Sequence, residues 1–395
     1  MNNTIICPGF KAAGIASGIK KNGNLDLGLI YSEIDAAVAG IFTKNMVKAA
    51  PVLIDIQRIK SGKCRAFIAN SGNANCCTGN KGIKDAIAMA QLAASGLKIS
   101  DDLVLVASTG VIGEPFPVDK VKNAVPKIIH SLSENGLNNF AQSIMTTDTV
   151  PKLVSRFGTI DGKPFTVTGI TKGAGMIRPD MATMLCFVIT NIGASPDILR
   201  EAIYSSAQRS FNKITIDGDT STNDTVLIMA NGLSGAFIKN NAHKKVFQNI
   251  LDDLFLTLAK MLVKDGEGVT KLVEIIVKNA NSHNDARHIA DTVAESSLVK
   301  TAFFGEDANW GRIIAAAGRA DALIDPDAID IYFNDVLMVK NGVGCGKDAE
   351  IEATKILKKP EFSVTIDLKT GSGSASVLTC DFSVDYVKIN ADYRT

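Results

Sequence analysis

The sequence predicts a mixed α/β protein, and three observations carry that expectation. Helical and strand periodicities interleave along all 395 residues instead of segregating into separate halves. Apolar residues make up 46% of the chain and aromatic residues only 6%, so cores of Ala, Val, Ile and Leu are expected. Toward the C-terminus the apolar period shortens from about 3.6 residues to two. A chain of this length fills two or three packed units rather than one.

Taken in order, residues 80–95 place Ile83, Ala86, Ile87, Ala90 and Ala94 on one helical face, with Gly96 as the expected stop. Ser195-Pro196-Asp197 reads as an N-cap followed by proline at the first helical position, opening a helix through 198–211. A longer helix carries Val246, Ile250, Leu254, Leu258, Met261 and Leu262, and ends at Asp265-Gly266. Phe362, Val364, Ile366 and Leu368 alternate with polar residues, as a strand with one wet face does. Leu378, Cys380, Phe382, Val384 and Tyr386 repeat the pattern after Gly371-Ser372-Gly373-Ser374, which predicts an antiparallel hairpin. No repeat of 20–50 residues and no low-complexity linker marks a domain boundary.

Composition excludes several classes. Lys plus Arg number 42 and Asp plus Glu 41, so no charge excess drives binding to nucleic acid or membrane. No apolar run approaches the 18 residues or so of a membrane span. The start lacks a signal-peptide layout, and the seven scattered cysteines contain no C-x-x-C, which together predict a reduced, cytoplasmic protein. No H-E-x-x-H and no Cys/His cluster has metal-ligand spacing, so no metal is expected. His130, His243, His283 and His288 sit beside no candidate nucleophile, and a G-x-S-x-G elbow is missing.

Four segments combine Gly and small polar residues with flanking apolar runs, as active-site loops do. Ala69 to Asn75 is rich in asparagine, which suits an elaborate turn. Leu103 to Gly113 is an apolar strand running into Ser108-Thr109-Gly110, where a hydroxyl and a backbone N–H can form an oxyanion hole or simply end the strand. Thr171 to Thr190 leads a Gly-rich basic stretch through Pro179 into a wholly apolar strand that Thr183 opens directly after Ala182. A β-branched residue there either merely starts the strand or becomes a nucleophile exposed by an N→O acyl shift. A freed α-amine has a pKa of about 7.7–8.0 and can serve as base for its own hydroxyl without histidine. Val263 to Lys271 sets Glu267 between two glycines, either presented to a ligand or solvated at a helix end. Thr215 to Thr225 is dense in side-chain acceptors but lacks the closing glutamate of a calcium loop.

Nine segments, in order, resemble the glutamate N-acetyltransferase (ornithine acetyltransferase) family of arginine biosynthesis. They are GFKAAG at 9–14, NSGNANCCTG at 70–79, ASTGVIG at 107–113, MTTDTVPK at 145–152, TKGAGMIRPDMATML at 171–185, TIDGDTSTNDT at 215–225, DGEGVTKL at 265–272, FGEDANWGR at 304–312 and NADYRT at 390–395. Cys76 departs from the pattern, where a small residue such as alanine is expected. The resemblance implies an α/β sandwich like that of other N-terminal-nucleophile enzymes, with a smaller C-terminal α/β region near 275–395. It implies self-cleavage between Ala182 and Thr183 into an α chain of 1–182 and a β chain of 183–395, assembled as an α2β2 heterotetramer. Thr183 would carry acetyl from N-acetylornithine to glutamate by a ping-pong cycle, with Thr109 and Gly110 as the oxyanion hole. Substrate contacts would come from Thr146 or Thr147, Lys172, Glu267, Asn390 and Thr395. No cofactor is implied, and whether acetyl-CoA serves as a second donor stays open. The alternatives are a self-processing aminopeptidase or amidase that releases its acyl group to water, and a non-catalytic amino-acid-binding protein.

Overall fold

The computed structural model describes residues 5–178 and 184–392, and the chain divides into two units. The first unit comprises residues up to Asn212 together with Asp219–Leu262. Its elements are β1 (Phe10–Ile15), β2 (Leu27–Phe42), α1 (Ala50–Arg58), β3 (Lys63–Asn73), α2 (Gly79–Leu97), β4 (Val104–Val111), α3 (Val118–His130) and α4 (Leu137–Ser143). They continue with β5 (Lys152–Ile160), β6 (Lys163–Lys172), β7 (Leu185–Thr190), α5 (Pro196–Arg209), β8 (Thr225–Ala230) and α6 (Asn241–Lys264), whose last turn runs past the unit boundary. The eight strands form one sheet in the order β4-β3-β2-β8-β7-β6-β5, with β1 also paired to β2. The expected mixed α/β class is what the structure contains.

Period-2 alternation sorts the sheet's side chains into two cores. Ala66, Ile68, Val104 and Val106 face α2 and α3, packing with Ala86, Ala90, Val121 and Ile128. Phe67, Ala69, Leu105 and Ala107 face the opposite way, toward α4. There Phe140 meets Phe187 edge-on with ring centroids 5.1 Å apart, and Phe187 lies 5.7 Å from Phe67.

Two helix expectations shift in detail. α2 does not stop at Gly96 but runs to Leu97, with Lys98 in the left-handed cap at φ +57°. Gly96 instead lets α3 approach, since a Cβ there would lie 2.8 Å from Ile129 Cγ1. α6 spans the predicted residues, but its buried stripe is Phe247, Leu251, Leu254, Phe255, Leu258, Ala259 and Leu262, while Val246 is exposed. The N-cap at Ser195 forms as read, its hydroxyl accepting the Ile198 N–H.

The second unit comprises 213–218 and 263–395, beginning upstream of residue 275 because its central strand is β9 (Leu272–Ala280). It adds α7 (His283–Ala294), α8 (Ser297–Phe304), α9 (Trp310–Gly318), β10 (Asp330–Phe333), β11 (Val336–Lys340), β12 (Val343–Gly344), α10 (Lys347–Leu357), β13 (Glu361–Asp367), β14 (Gly373–Cys380) and α11 (Val384–Ala391). Its sheet order is β12-β11-β10-β13-β9-β14.

The predicted C-terminal hairpin is corrected here. β13 and β14 are both strands, but β9 lies between them, parallel to β13 and antiparallel to β14. Each hydrogen-bonds along its edge to β9 rather than to the other. The unit's hairpins are β10–β11, joined at Asn334-Asp335 with Asn334 at φ +46°, and β11–β12, joined at Asn341-Gly342 with both residues at positive φ. Val384 and Tyr386 are not strand residues either; Ser383 caps α11 by accepting the Tyr386 N–H at 3.3 Å.

β4 is an edge strand of the first sheet, and α1 closes that edge. Both Asp55 carboxylate oxygens lie 3.1 Å from the Val106 N–H, while Arg58 donates to the carbonyls of Asp101 and Val104. Burial pushes the Asp55 carboxyl well above the usual range, against the Val106 N–H and Arg58. Asp55→Ala should leave the Val106 N–H buried without an acceptor and cost about 1–3 kcal/mol in urea unfolding. A loss below about 0.5 kcal/mol would mean that the β4 edge does not depend on this carboxylate.

Candidate functional site

The Asn-rich segment read as a turn is mostly strand. β3 continues through Asn73, parallel to β4, with Gly72 at φ +97° inside it and the left-handed Asn75 and Cys77 just beyond. Asn70 and Ser108 are register partners, and Ser108 Oγ donates to Asn70 Oδ1 at 2.6 Å. Asn70 Nδ2 in turn donates to the Asn73 carbonyl at 2.9 Å. Asn223, from the acceptor-rich segment, donates to the carbonyls of Ser108 and Ala74 at 2.8 and 2.7 Å. Amide side chains thus hold the strand ends where a plain ladder would fray.

Thr109 and Gly110 sit at this braced end of β4. Thr109 is only 7% exposed, and its hydroxyl bonds to none of the described residues, so its donor is unspent. Gly110 is at φ +129° and opposes Gly72. A Cβ at Gly110 would fall 2.4 Å from the Gly72 carbonyl carbon, so both geometry and space require glycine.

Further along the sheet, Lys172 ends β6 and donates to Thr146 Oγ1 at 3.4 Å. Asp148 organises this corner. Its Oδ1 accepts from Lys152 Nζ at 2.6 Å and from the Gly173 N–H at 2.7 Å, while Oδ2 accepts the Thr146 N–H at 3.0 Å. Asp148 and Lys152 side chains are fully inaccessible. Burial alone would raise the Asp148 carboxyl, but Lys152, Lys172 and the hydrogen bonds outweigh it and hold it below the usual range. Of the two candidate threonines, Thr146 is the one in contact with Lys172; the Thr147 hydroxyl meets none of the described residues.

Asp224, just before β8, is a second buried carboxylate. The next residue's N–H donates to the Met184 carbonyl at 2.9 Å, so Asp224 lies where the β7 segment begins. Its Oδ2 is buried and accepts no hydrogen bond among the described residues. Burial pushes its carboxyl well above the usual range, opposed by Ser221 and by Lys172.

In the second unit the structure joins two residues that are 123 positions apart in sequence. Asn390 Nδ2 donates to Glu267 Oε2 at 2.7 Å and to the Tyr386 carbonyl at 3.0 Å. Glu267 is 7% exposed, so it is not a solvated helix-end charge. Gly268, at φ +68°, admits the N-terminus of α11: a Cβ there would lie 2.5 Å from Ser383 Oγ and the Tyr386 nitrogen. Ala182, Thr183 and Thr395 lie outside the described residues. Among the described residues no group of three or more His, Cys, Asp and Glu is placed to hold a metal ion.

Sequence reasoning did not single out Asn70, Asp148, Asn223 or Asp224. Each lay inside a segment that had been noticed, but their roles depend on partners far away in the chain. Asp148 alone left a local trace, the opposite charge of Lys152 four residues on.

Comparison with known proteins adds the family context. The model of the ArgJ family matches residues 11–395. The chain is 51% identical to the arginine biosynthesis bifunctional protein ArgJ of Geobacter sulfurreducens, over 98% of this chain and 99% of the relative. It is 50% identical to the protein of the same name from Syntrophotalea carbinolica, with the same coverage. Among solved structures, the arginine biosynthesis bifunctional protein argJ of Bacillus halodurans is 40% identical, covering 45% of this chain and 92% of its own, with a TM-score of 0.42. An ornithine acetyltransferase of Mycobacterium tuberculosis, complexed with ornithine, is 42% identical, covering 45% of this chain and 94% of its own, with a TM-score of 0.41.

The Asp148 corner gives a signed pH prediction. Its folded pKa is depressed below the unfolded value of about 3.9, so its contribution is present above pH 4 or so and lost as pH falls through the folded value. Asp148→Asn should therefore cost about 1.5–3 kcal/mol at neutral pH in urea unfolding. The gap between parent and variant should close as the pH is taken below about 4. A gap that stays constant into acid would remove Asp148 as the charged anchor.

Proposed function

Because the chain belongs to the ArgJ family, we propose that it transfers an acetyl group from N-acetylornithine to glutamate through an ester on Thr183. It is an acyltransferase of arginine biosynthesis. The observation that carries the mechanistic reading is the Thr109-Gly110 pair: a hydroxyl bonded to none of the described residues, on a buried threonine, beside a glycine held against Gly72. Such preorganised donors favour a tetrahedral intermediate, whose oxygen carries more negative charge than the donor amide.

In the first use of this chemistry, Thr183 Oγ1 attacks the Ala182 carbonyl and the Ala182–Thr183 amide becomes an ester. Water then releases the Ala182 carboxylate and leaves Thr183 with a free α-amine, giving chains of 1–182 and 183–395. In catalysis that amine takes the hydroxyl proton as Oγ1 attacks the acetyl carbon, and returns it to the leaving ornithine nitrogen. Glutamate nitrogen then attacks the acetyl-threonine ester and regenerates the hydroxyl.

Lys172, with Thr146 beside it, suits the substrate's α-carboxylate. Glu267, held by Asn390, suits the side-chain ammonium of ornithine. Thr395 is assigned to substrate by the family resemblance alone. An α2β2 assembly in the cytoplasm completes the proposal. The relatives' names call them bifunctional, which supports acetyl-CoA as a second donor to glutamate.

The decisive test uses the purified parent and Thr183→Ala. The parent should run as two chains and make N-acetylglutamate from N-acetylornithine plus glutamate, whereas the variant should stay a single inactive chain. Cleavage of Thr183→Ala after residue 182, or release of acetate only, would overturn the assignment. A second expectation concerns Thr109→Ala. Removing one oxyanion donor should lower kcat about 100- to 1000-fold with little change in KM. A correctly cleaved variant with kcat within about threefold of the parent, under 1 kcal/mol, would remove Thr109 from the chemistry.

A further inference from the structure

Lys20 lies between β1 and β2, and nothing in its local sequence marks it as functional. The structure nevertheless ties it into the first unit through its backbone, its stem and its ammonium. The carboxylate of Asp26, a wholly buried residue, accepts the Ser17 N–H and hydroxyl on one oxygen, at 2.6 and 2.7 Å. It accepts the Lys20 N–H on the other, at 2.9 Å. The stem of Lys20 lies on Gly72, where an added Cβ would meet Lys20 Cγ at 3.1 Å. Gly72 is the residue that opposes Gly110. The Lys20 ammonium then donates to the Leu25 carbonyl at 3.0 Å and to the Met145 carbonyl at 2.7 Å.

Two features separate this ammonium from a structural lysine. Among the described residues no carboxylate lies within ion-pair distance of it, and two carbonyls use only two of its three donors. It is also held by Met145, whose neighbour Thr146 accepts from Lys172. Two cations thus meet adjacent residues of one segment, and one of them also leans on the glycine behind the oxyanion pair. Burial lowers the Lys20 pKa, and the nearby charge of Lys172 lowers it further, while Asp26 and Asp148 oppose the shift. A half-buried cation so placed gains most from an incoming anion.

We propose that Lys20 is a second carboxylate-binding residue of the acetyl-transfer site, acting with Lys172 on the α-carboxylate shared by N-acyl amino-acid donors and amino-acid acceptors. This rests on the assignment of Lys172 and Thr146 to substrate. Lys20 meets Met145 and Lys172 meets Thr146, so the two ammonium groups meet adjacent residues of one segment. The carboxylate supplies the charge that the two backbone carbonyls cannot.

The test compares N-acetylornithine with its α-methyl ester as acetyl donor to glutamate, using the processed parent, Lys20→Met, Lys20→Arg and Lys172→Met. In the parent, kcat/KM should favour the acid strongly. Lys20→Met should raise KM for the acid about tenfold or more while kcat stays within about threefold, and should leave the ester's kcat/KM nearly unchanged. Lys20→Arg should keep most of the preference, because it keeps the charge. Equal losses for acid and ester in Lys20→Met would overturn the proposal and leave Lys20 as a brace for Met145. If Lys20→Met does not fold, loss of the acid preference in Lys20→Arg overturns it instead. If Lys172→Met keeps the parent's preference while Lys20→Met loses it, the assignment of Lys172 fails and that of Lys20 stands.

Discussion

The near-contact of Gly72 with Gly110 is the constraint on which the first unit's functional end depends. A parallel strand pair normally keeps its backbones apart by the width of a hydrogen bond. Here the β3–β4 register shifts between Gly72 and Asn73, and the Gly110 Cα comes so close that no Cβ fits. The shift leaves local amide and carbonyl groups without regular ladder partners. Asn70 and Asn73 at the end of β3, and Asn223 from far along the chain, supply replacements. Asn73, for example, accepts the Asn75 N–H at 2.8 Å and donates across to the Glu114 and Pro115 carbonyls. The result is a strand end rigid enough to hold a hydroxyl and an N–H without prior reorganisation, which is what electrostatic stabilisation of an oxyanion demands.

Charge is handled by a complementary rule. Asp148, Asp26 and Asp55 are all buried carboxylates whose work is to accept backbone N–H groups: those of Thr146 and Gly173, of Ser17 and Lys20, and of Val106. Burying a carboxylate is costly unless its lone pairs are met, so each one firmly orders the segments that meet it. Asp148 remains charged because two lysines flank it, whereas Asp55 is pushed toward its neutral form by burial. Ordered loops and oriented cations are thus two results of the same buried acids. The second unit repeats the device at smaller scale, with the Asp381 carboxylate accepting the Thr270 and Lys271 N–H groups just after Glu267.

Element type was well marked in the sequence, since it depends on neighbours within a few residues. The Ser195-Pro196 cap, the α6 span and the period-2 pattern of β13 all reflect local rules of helix and strand formation. Pairing was less legible. β13 and β14 each carry the right alternation, yet an alternating strand does not specify its partner, and β9 outcompetes the nearer neighbour by offering an apolar strand to both. The stripe of α6 was partly legible: Leu254, Leu258 and Leu262 are buried as read, while Phe247, which packs on Phe165 with ring centroids 6.4 Å apart, and Leu251 are buried where Val246 is exposed.

By itself, the sequence determined the mixed α/β class, the segments that carry chemistry, and the family, because motif order along a chain survives without coordinates. It nominated Thr109, Gly110, Lys172, Glu267 and, through the family resemblance, Asn390 as candidate site residues. Tertiary structure alone decided which of these are neighbours. Thr146 rather than Thr147 meets Lys172, Asn390 reaches Glu267 across 123 residues, and Lys20 arrives beside Met145 from 125 positions away. The physical reason is that hydrogen bonds and buried charges act over a few ångströms in space, whatever the separation along the chain. Only the folded chain brings those positions within that range.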